Sequence, residues 1–301
     1  MEPVPAATEV QNSASPQTEA TPSEWRRHWR NYRRNPLGMF GLFVLAAFAL
    51  IAVLAPALAD FPRGYSADIS MPPSAAHPFG TDDLGLDILA EVIWGTRVTM
   101  LVGLTASVVS LAIGVPLGLA AAYYRGWVDN VISSAVDIFL SLPMLPLMIL
   151  VAAVLGPSMW NIALIIGAVS WPQVARVVRS QALTTVSMTY TEAARAMGGT
   201  DWHILVRHLL PDAVPVAVVN LVLNLSRAVL SEAGLSFLGL GDPTEWSWGR
   251  ILQNAQRSGA FVTAWWQTLF PSLAILLLVI SATFVGTTLN EVLNPRLRGR
   301  R

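Results

Sequence analysis

Six apolar stretches, each long enough to cross a bilayer, occupy nearly half of this chain of 301 residues. A helix needs about 20 predominantly apolar residues to span the hydrocarbon core. The predicted spans are residues 39–58, 98–123, 131–155, 161–183, 213–232 and 272–293. A content of 53% apolar and 13% charged residues agrees with hydrocarbon as the main solvent. The chain is therefore predicted to be an all-α, polytopic membrane protein with six transmembrane helices.

The basic residues predict how the spans are oriented. All 19 are arginine, and 14 of them lie in or beside segments that six spans would place on one side of the membrane. Cytoplasmic connections are enriched in basic residues. Both termini and the connection between spans four and five are therefore predicted to face the cytoplasm.

The residue types that are missing exclude several classes of site. Without lysine the chain cannot form the phosphate-binding loop of nucleotide hydrolases, and without cysteine it has neither thiolate metal ligands nor a cysteine nucleophile. His203 and His208 are five residues apart, which does not suit a zinc pair on one helical face. We predict that the chain is not an enzyme and binds no metal or cofactor itself.

The segment before the first span divides into two parts. Residues 1–23 are rich in Pro, Ser, Thr, Ala and Glu and are predicted to be a disordered tail. The next unit, residues 24–97, begins with an amphipathic stretch in which Arg26, Arg27, Arg30, Arg33 and Arg34 alternate with aromatic residues. Its position beside a membrane span favours a helix lying on the anionic leaflet over a segment that binds nucleic acid.

The two long connections on the outer side, residues 59–97 and 233–271, are predicted to be structured because they exceed simple turns. The second carries Trp246, Trp248, Trp265 and Trp266. Tryptophan is common at headgroup depth, so these side chains are predicted to anchor the chain at the interface rather than to stack on substrate.

Within the spans, small residues and prolines predict packing features. Gly114 and Gly118 form a pattern that permits close approach of a neighbouring backbone, whereas Pro143, Pro146 and Pro172 are expected to kink their helices.

Three ionisable side chains, Asp137, Arg227 and Glu232, lie within the predicted spans. Charged groups at membrane depth are costly unless they face a cavity or a partner. Our hypothesis is that they face a polar pathway or a partner subunit; the alternative is snorkelling and structural pairing. Arg227 and Glu232 are five residues apart, so they are not expected to pair with each other.

A polar segment, residues 184–212, separates spans four and five. Glu192, Ala193 and Ala194 begin a predicted short helix, Gly198 and Gly199 interrupt it, and Asp201 is predicted to cap a second helix. A polar helix kept on the cytoplasmic side of a membrane protein predicts a docking surface for a soluble partner.

Short motifs along nearly the whole chain resemble those of the C-type permease subunits of dipeptide, oligopeptide and nickel ABC importers. The matching stretches are N-P-L-G at 35–38, H-P-F-G-T-D-D-L-G at 77–85, G-x-P-L-G-L-A-A at 114–121, Y-R-G-W-V-D at 124–129, E-A-A at 192–194, L-S-F-L-G-L-G at 235–241, S-W-G at 247–249 and N-P-R-L-R-G at 294–299. One departure is Leu86, where the family usually has arginine, so an ionic role at that position is in doubt.

The resemblance implies a type I ABC importer permease fold, with a five-helix core at residues 98–295, a coupling helix between helices four and five, and a basic tail at residues 296–301. It also implies a second homologous permease, two ATPases that hold ATP and Mg, and an extracytoplasmic binding protein. The ATPases would grip the coupling loop through Glu192, Ala193, Ala194, Arg195, Gly198 and Asp201.

The expected cargo is a di- or oligopeptide, with nickel or another small solute as the alternative. Two other classes remain open: a secondary transporter without an ATPase and a membrane scaffold that does not transport.

Overall fold

A computed structural model describes residues 24–293, and all regular secondary structure in this range is helical. The predicted tails and the motif at residues 294–299 lie outside it. The elements are α1 (Glu24–Tyr32), α2 (Pro36–Leu58), α3 (Ile88–Tyr124), α4 (Gly126–Ser141), α5 (Met144–Leu155), α6 (Met159–Val186), α7 (Thr189–Ala196), α8 (Asp201–Ile204), a π-helical turn (Leu205–Leu209), α9 (Leu210–Phe237), α10 (Trp248–Arg257), α11 (Ala260–Thr263) and α12 (Trp266–Leu293).

Five helical segments are long and apolar enough to cross a membrane: α2, α3, α6, α12 and the continuous run from α8 to α9. The third predicted span, residues 131–155, is not one helix. It breaks between α4 and α5 with a bend of 89°. Leu142 adopts an extended conformation before Pro143, because a proline ring clashes with a helical residue on its N-terminal side.

Glycine contacts set the direction of α6 relative to α3. A Cβ atom at Gly114 would lie 2.8 Å from the Trp171 carbonyl oxygen, and one at Gly118 would lie 2.6 Å from that of Ala175. This confirms the close approach predicted from the spacing of small residues. Since the residue numbers rise together along both helices, α3 and α6 run parallel. The chain between them must return to the starting side, so the bent α4–α5 pair counts as one crossing.

The remaining long helices alternate in direction. The Asn224 side chain of α9 donates to Ser110 of α3 (3.3 Å), while Thr99 near the start of α3 reaches Glu232 near the end of α9, so these helices are antiparallel. Close contacts make α12 antiparallel to both α9 and α2. Six crossings result, and α1, α7 and the end of α12 lie on one side, called here the α7 face. The opposite side is the α10 face.

The turn into the first crossing explains the N-P-L-G motif. Asn35 caps α2 by accepting from the Leu37 and Gly38 N–H groups (3.1 and 3.2 Å), and Pro36 occupies the first helical position. Gly38 lies directly against Thr288 of α12, and its carbonyl oxygen accepts from the Tyr32 hydroxyl at 2.9 Å. The α1 helix is thereby held against the ends of α2 and α12.

The connections on the α10 face are shorter than predicted, at residues 59–87 and 238–265. The α3 helix begins at Ile88, ten residues before the predicted start of the second span, and Asp87 caps it by accepting from the Leu89 and Ala90 N–H groups. The first turns of α3 therefore belong to a packed layer on this face rather than to the hydrocarbon core. This layer consists of the start of α3 and the connections at residues 59–87 and 238–265, and it is called here the cap.

The prediction of a tryptophan anchor at the interface is wrong for three of the four residues. Trp246, Trp248 and Trp266 are buried, and only Trp265 is exposed. Their indole N–H groups donate to carbonyl oxygens of the first connection and of α3. These bonds can form only when the rings lie inside the cap. The bonds are Trp246 to Pro62 (2.9 Å), Trp248 to Val92 (3.1 Å) and Trp266 to Thr81 (3.0 Å).

A carboxyl pair is buried in the same cap. The Oδ1 atom of Asp82 accepts from the N–H groups of Leu84 and Leu86, at 2.9 and 2.7 Å. Oδ2 of Asp82 and Oε1 of Glu91 are buried, and neither has a hydrogen-bond partner among the described residues. The two carboxyl groups lie close to each other. Burial raises the pKa of Asp82, against the opposing effect of its backbone hydrogen bonds. When one carboxyl is protonated it can donate to the other, which gives both oxygens a partner.

We expect the cap to lose stability as the pH rises. A raised pKa means that the folded state favours the neutral carboxyl, so this stabilisation is complete below the ordinary value of about 3.9 and disappears as the pH passes the raised value. Asp82→Asn keeps the acceptor and supplies an N–H donor for Glu91, so it should reduce this pH dependence to the part that the buried Glu91 carboxyl contributes. Asp82→Ala should destabilise the protein by roughly 1–3 kcal/mol, because two N–H groups lose their acceptor. Thermal unfolding at mildly acidic and mildly alkaline pH checks this, and equal alkaline losses in wild type and Asp82→Asn would contradict it.

Two glycine substitutions should have opposite effects on stability. Gly118→Ala places a methyl group against the Ala175 backbone and should lower the unfolding temperature, because a close helix contact must open. Gly234→Ala, within α9, meets nothing within 4 Å and should be neutral or stabilising by up to about 1 kcal/mol through helix propensity. Thermal unfolding of both variants tests the contact, and an unchanged Gly118→Ala would count against it.

Candidate functional site

The short helix α7 exposes the segment that contains Glu192. Its buried side is formed by Thr191 and Ala194, and the Thr191 hydroxyl donates to the Thr185 carbonyl oxygen of α6 at 2.9 Å. Glu192 and Ala193 are exposed to solvent on the opposite side. The acidic residue in the first turn and Arg195 in the last turn complement the helix dipole. The predicted short helix is confirmed, but it begins at Thr189 rather than at Glu192. It presents its polar side away from the other helices.

Gly198 ends α7 in the manner that the sequence predicts. Its φ angle is +84°, and its N–H donates to the Arg195 carbonyl oxygen at 3.0 Å. The next N–H, of Gly199, donates to the Ala194 carbonyl oxygen at 3.0 Å. A residue with a Cβ atom is strained in this left-handed conformation, so glycine is the preferred choice.

The second helix is capped differently from the prediction. Thr200, not Asp201, caps α8, because the Thr200 hydroxyl accepts from the His203 N–H (3.3 Å). Asp201 instead accepts from the hydroxyl of Tyr123 at 2.7 Å, and the Arg195 guanidinium lies 5.2 Å from the centre of the Tyr123 ring. Both charged residues thus contact the end of α3, a contact that the sequence did not reveal.

A further hydrogen bond joins α7 to the start of α9. The Tyr190 hydroxyl donates to Asp212 at 2.6 Å. Burial and this bond to a carboxylate raise the pKa of Tyr190 to about 12, so the donor keeps its proton at neutral pH. Together with Thr191 and Asp201, Tyr190 connects the segment to three long helices.

The exposed surface of this segment also carries large apolar side chains. Met197 is 82% exposed and Trp202 is 75% exposed, on either side of the glycine pair. Ile204 and Leu209 point the other way and are fully buried against α3 and α6. A small apolar surface beside a carboxylate is suited to contact with another protein.

A second feature is a strip of polar side chains across α4, α6 and α9. Asp137 of α4 forms an ion pair with Arg176 of α6, 2.5 Å between Oδ1 and Nη2, and both side chains are more than half exposed. One helical turn away, Gln173 of α6 contacts the exposed Arg227 of α9. Asp137 and Arg227, two of the three ionisable residues predicted within the spans, therefore lie on one continuous surface. This surface is called here the polar strip (Asp137, Gln173, Arg176 and Arg227).

Glu232 does not lie on the polar strip. It is buried and accepts hydrogen bonds from Ser236 (2.6 Å) and Thr99 (3.3 Å), so it joins α9 to α3 within the subunit. The hypothesis that it faces a pathway or a partner is wrong in this conformation, because hydroxyl donors inside the subunit satisfy the carboxyl group. The alternative, structural pairing, describes its contacts.

Sequence reasoning missed Gln173 and used Arg176 only in the charge count. Their spacing offered a signal, since Gln173, Arg176 and Ser180 recur at helical intervals and all are exposed. Asp129 and Arg179 were also missed. They form a bidentate ion pair, at 2.5 and 2.6 Å, that fixes α4 to α6.

Comparison with known proteins agrees with this architecture. Residues 114–299 match the family model of the binding-protein-dependent transport system inner membrane component, and residues 23–73 match that of the N-terminal TM domain of oligopeptide transport permease C. The dipeptide transport system permease protein DppC of Alkalihalophilus pseudofirmus is 34% identical, over 98% of this chain and 97% of that protein. The glutathione transport system permease protein GsiD of Pectobacterium atrosepticum is 38% identical, over 91% and 92%.

The fold is similar to that of a solved transporter. A chain of the MetNI methionine ABC transporter, in an inward-facing conformation, matches 68% of this chain and 97% of its own length, with a TM-score of 0.56 and 22% identity. With six crossings, a short exposed helix between the fourth and fifth, and family matches over most of its length, the chain belongs to the binding-protein-dependent transport system inner membrane components and is a permease subunit of an ABC importer.

Proposed function

We propose that this subunit forms half of a translocation pathway for di- or oligopeptides, driven by two ATPases that bind α7. The relatives named for dipeptide and glutathione transport support a peptide cargo. The other half of the pathway is a second, homologous permease. An extracytoplasmic binding protein delivers the cargo to the α10 face.

The arginine distribution supports a cytoplasmic α7 face at the bacterial inner membrane. Arg195 and Arg207 lie in the connection after α6, and Arg125 lies in the tight turn after α3 on the same face. By the positive-inside rule this face remains in the cytoplasm, where ATPase subunits are accessible. ATP and Mg are held by those subunits, since a chain without lysine lacks the phosphate-binding loop.

The observation that carries the proposal is the way α7 and α8 are attached. Three side-chain hydrogen bonds join this short, exposed segment to three long helices: Thr191 to α6, Tyr190 to α9 and Asp201 to α3. A partner that displaces α7 therefore moves the ends of α3, α6 and α9 on the α7 face together. Such rigid-body tilting converts closure of the ATPases into opening of a pathway on one side of the membrane.

The polar strip is the surface of this subunit that we assign to the pathway. A charged side chain facing hydrocarbon costs several kcal/mol, so the exposed Arg176 and Arg227 must face water or the polar surface of the second permease. In contrast, the exposed side of α2 carries Phe43 and Val53, which suit lipid.

Changing the residues that we assign to the ATPase contact should uncouple the transporter. We expect Glu192→Gln and Gly198→Ala to reduce uptake of a labelled dipeptide by the complete transporter in proteoliposomes by about tenfold or more, equivalent to roughly 1.4 kcal/mol of lost coupling. The membrane fold should persist, because Glu192 is exposed and a methyl group at Gly198 meets nothing within 4 Å.

Two matched controls separate coupling from general damage. Glu291→Gln removes an exposed carboxylate from the same face, at the end of α12. Gly259→Ala imposes a similar backbone strain on the α10 face, since Gly259 has a φ of +75° and also meets nothing within 4 Å. Both controls should retain uptake. Normal uptake in Glu192→Gln and Gly198→Ala, or equal losses in the controls, would refute the assignment.

The absence of native cysteine allows a direct test of the pathway surface. In the assembled transporter, Gln173→Cys and Ser180→Cys should react with a hydrophilic thiol reagent, because a thiolate forms only where water reaches the sulfur. Phe43→Cys and Val53→Cys, at positions that are also exposed in the isolated chain, should stay unlabelled in lipid. Labelling of the two lipid-facing positions with none at Gln173 and Ser180 would overturn this assignment.

A further inference from the structure

An apolar groove opens on the α7 face between α1, α2, α9 and α12. Its volume is about 340 Å³, within the range of small-molecule sites, and hydrocarbon side chains form almost all of its walls. These include Leu42 of α2, Val214 and Val218 of α9, and Leu289 and Val292 of α12.

The groove lies where the crossings begin or end. Leu42 is in the second turn of α2 and Val292 is in the last turn of α12. This position is the boundary between hydrocarbon and headgroups. A lipid chain beside the protein is therefore the apolar group that reaches the groove most directly.

A second, basic cavity adjoins the apolar one. Arg30, Arg33, Arg34 and Trp29 line a space of about 410 Å³, and Trp29 is also part of the groove wall. The Arg33 guanidinium lies 5.9 Å from the centre of the Trp29 ring. All three arginines are exposed, and among the described side chains none forms an ion pair with them.

A third observation is an unpartnered polar atom in the groove wall. Nδ1 of His28 is buried and has no hydrogen-bond partner among the described residues. Buried polar atoms in proteins are rarely left without a partner. An ester oxygen of a lipid would supply one once the His28 ring turns Nδ1 toward the groove.

We propose that the groove binds one anionic glycerophospholipid of the surrounding bilayer. An acyl chain lies against α9 and α12, the ester region lies beside His28, and the phosphate lies among Arg30, Arg33 and Arg34. The combination of a hydrocarbon slot with an adjoining arginine cavity matches an amphiphile that is apolar at one end and negatively charged at the other. The bound lipid connects α1 to α9. The α9 helix follows the exposed α7 and α8 helices in the chain.

The test is native mass spectrometry of the full-length subunit, purified with the subunits that accompany it. The probes are phosphatidylglycerol and phosphatidylethanolamine with identical acyl chains. Wild type should retain at least about tenfold more phosphatidylglycerol than phosphatidylethanolamine, because each arginine near an anionic headgroup contributes about a fivefold preference. The variant with Arg30→Gln, Arg33→Gln and Arg34→Gln should lose this preference. These are surface substitutions, so the fold should remain intact.

A second pair of variants tests the apolar slot. Val218→Trp fills the groove and should reduce retention of both lipids, whereas Val53→Trp, on the exposed side of α2, should not. Equal retention of the two lipids by wild type would overturn the proposal, and so would an undiminished preference in the triple arginine variant. Crosslinking of Val218→Cys to another polypeptide, with no lipid retained in the groove, would also overturn it.

Discussion

The close parallel contact between α3 and α6 determines most of this architecture. Gly114, Gly118 and Gly167 bring the two backbones together at distances that a Cβ atom would prevent. Because these helices run in the same direction, the chain between them must cross once more, and the bent α4–α5 pair does so. The contact also places the ends of α3 and α6 side by side, where Tyr123 and Thr185 hold the exposed segment that follows.

The two faces of the subunit are built differently. On the α10 face, buried tryptophans join two chain connections to the start of α3 through indole hydrogen bonds and extensive apolar burial. On the α7 face, a short helix is attached to the bundle by a few side-chain hydrogen bonds and one buried side. A face with little burial moves more readily than a packed cap, which suits a surface that receives force from a partner.

The candidate site was partly predictable from local chemistry. The local structure around Glu192 and Gly198 was predictable, because a short helix and a left-handed glycine at its end depend on residues within one or two turns. Asp201 could not be assigned correctly, since its partner Tyr123 is 78 residues away in the chain. The same reason explains Arg227, which contacts Gln173 on another helix.

Local sequence properties were enough to predict how many times the chain crosses, which segment remains polar between the fourth and fifth crossings, and where that segment bends. These properties depend on hydrophobic length and on backbone preferences, which are local. The tertiary structure decided which buried groups pair, that three tryptophans lie inside the cap, and that Glu232 is internal while Arg227 is exposed. Those outcomes depend on how helices far apart in the chain pack against one another, and packing is a property of the whole bundle.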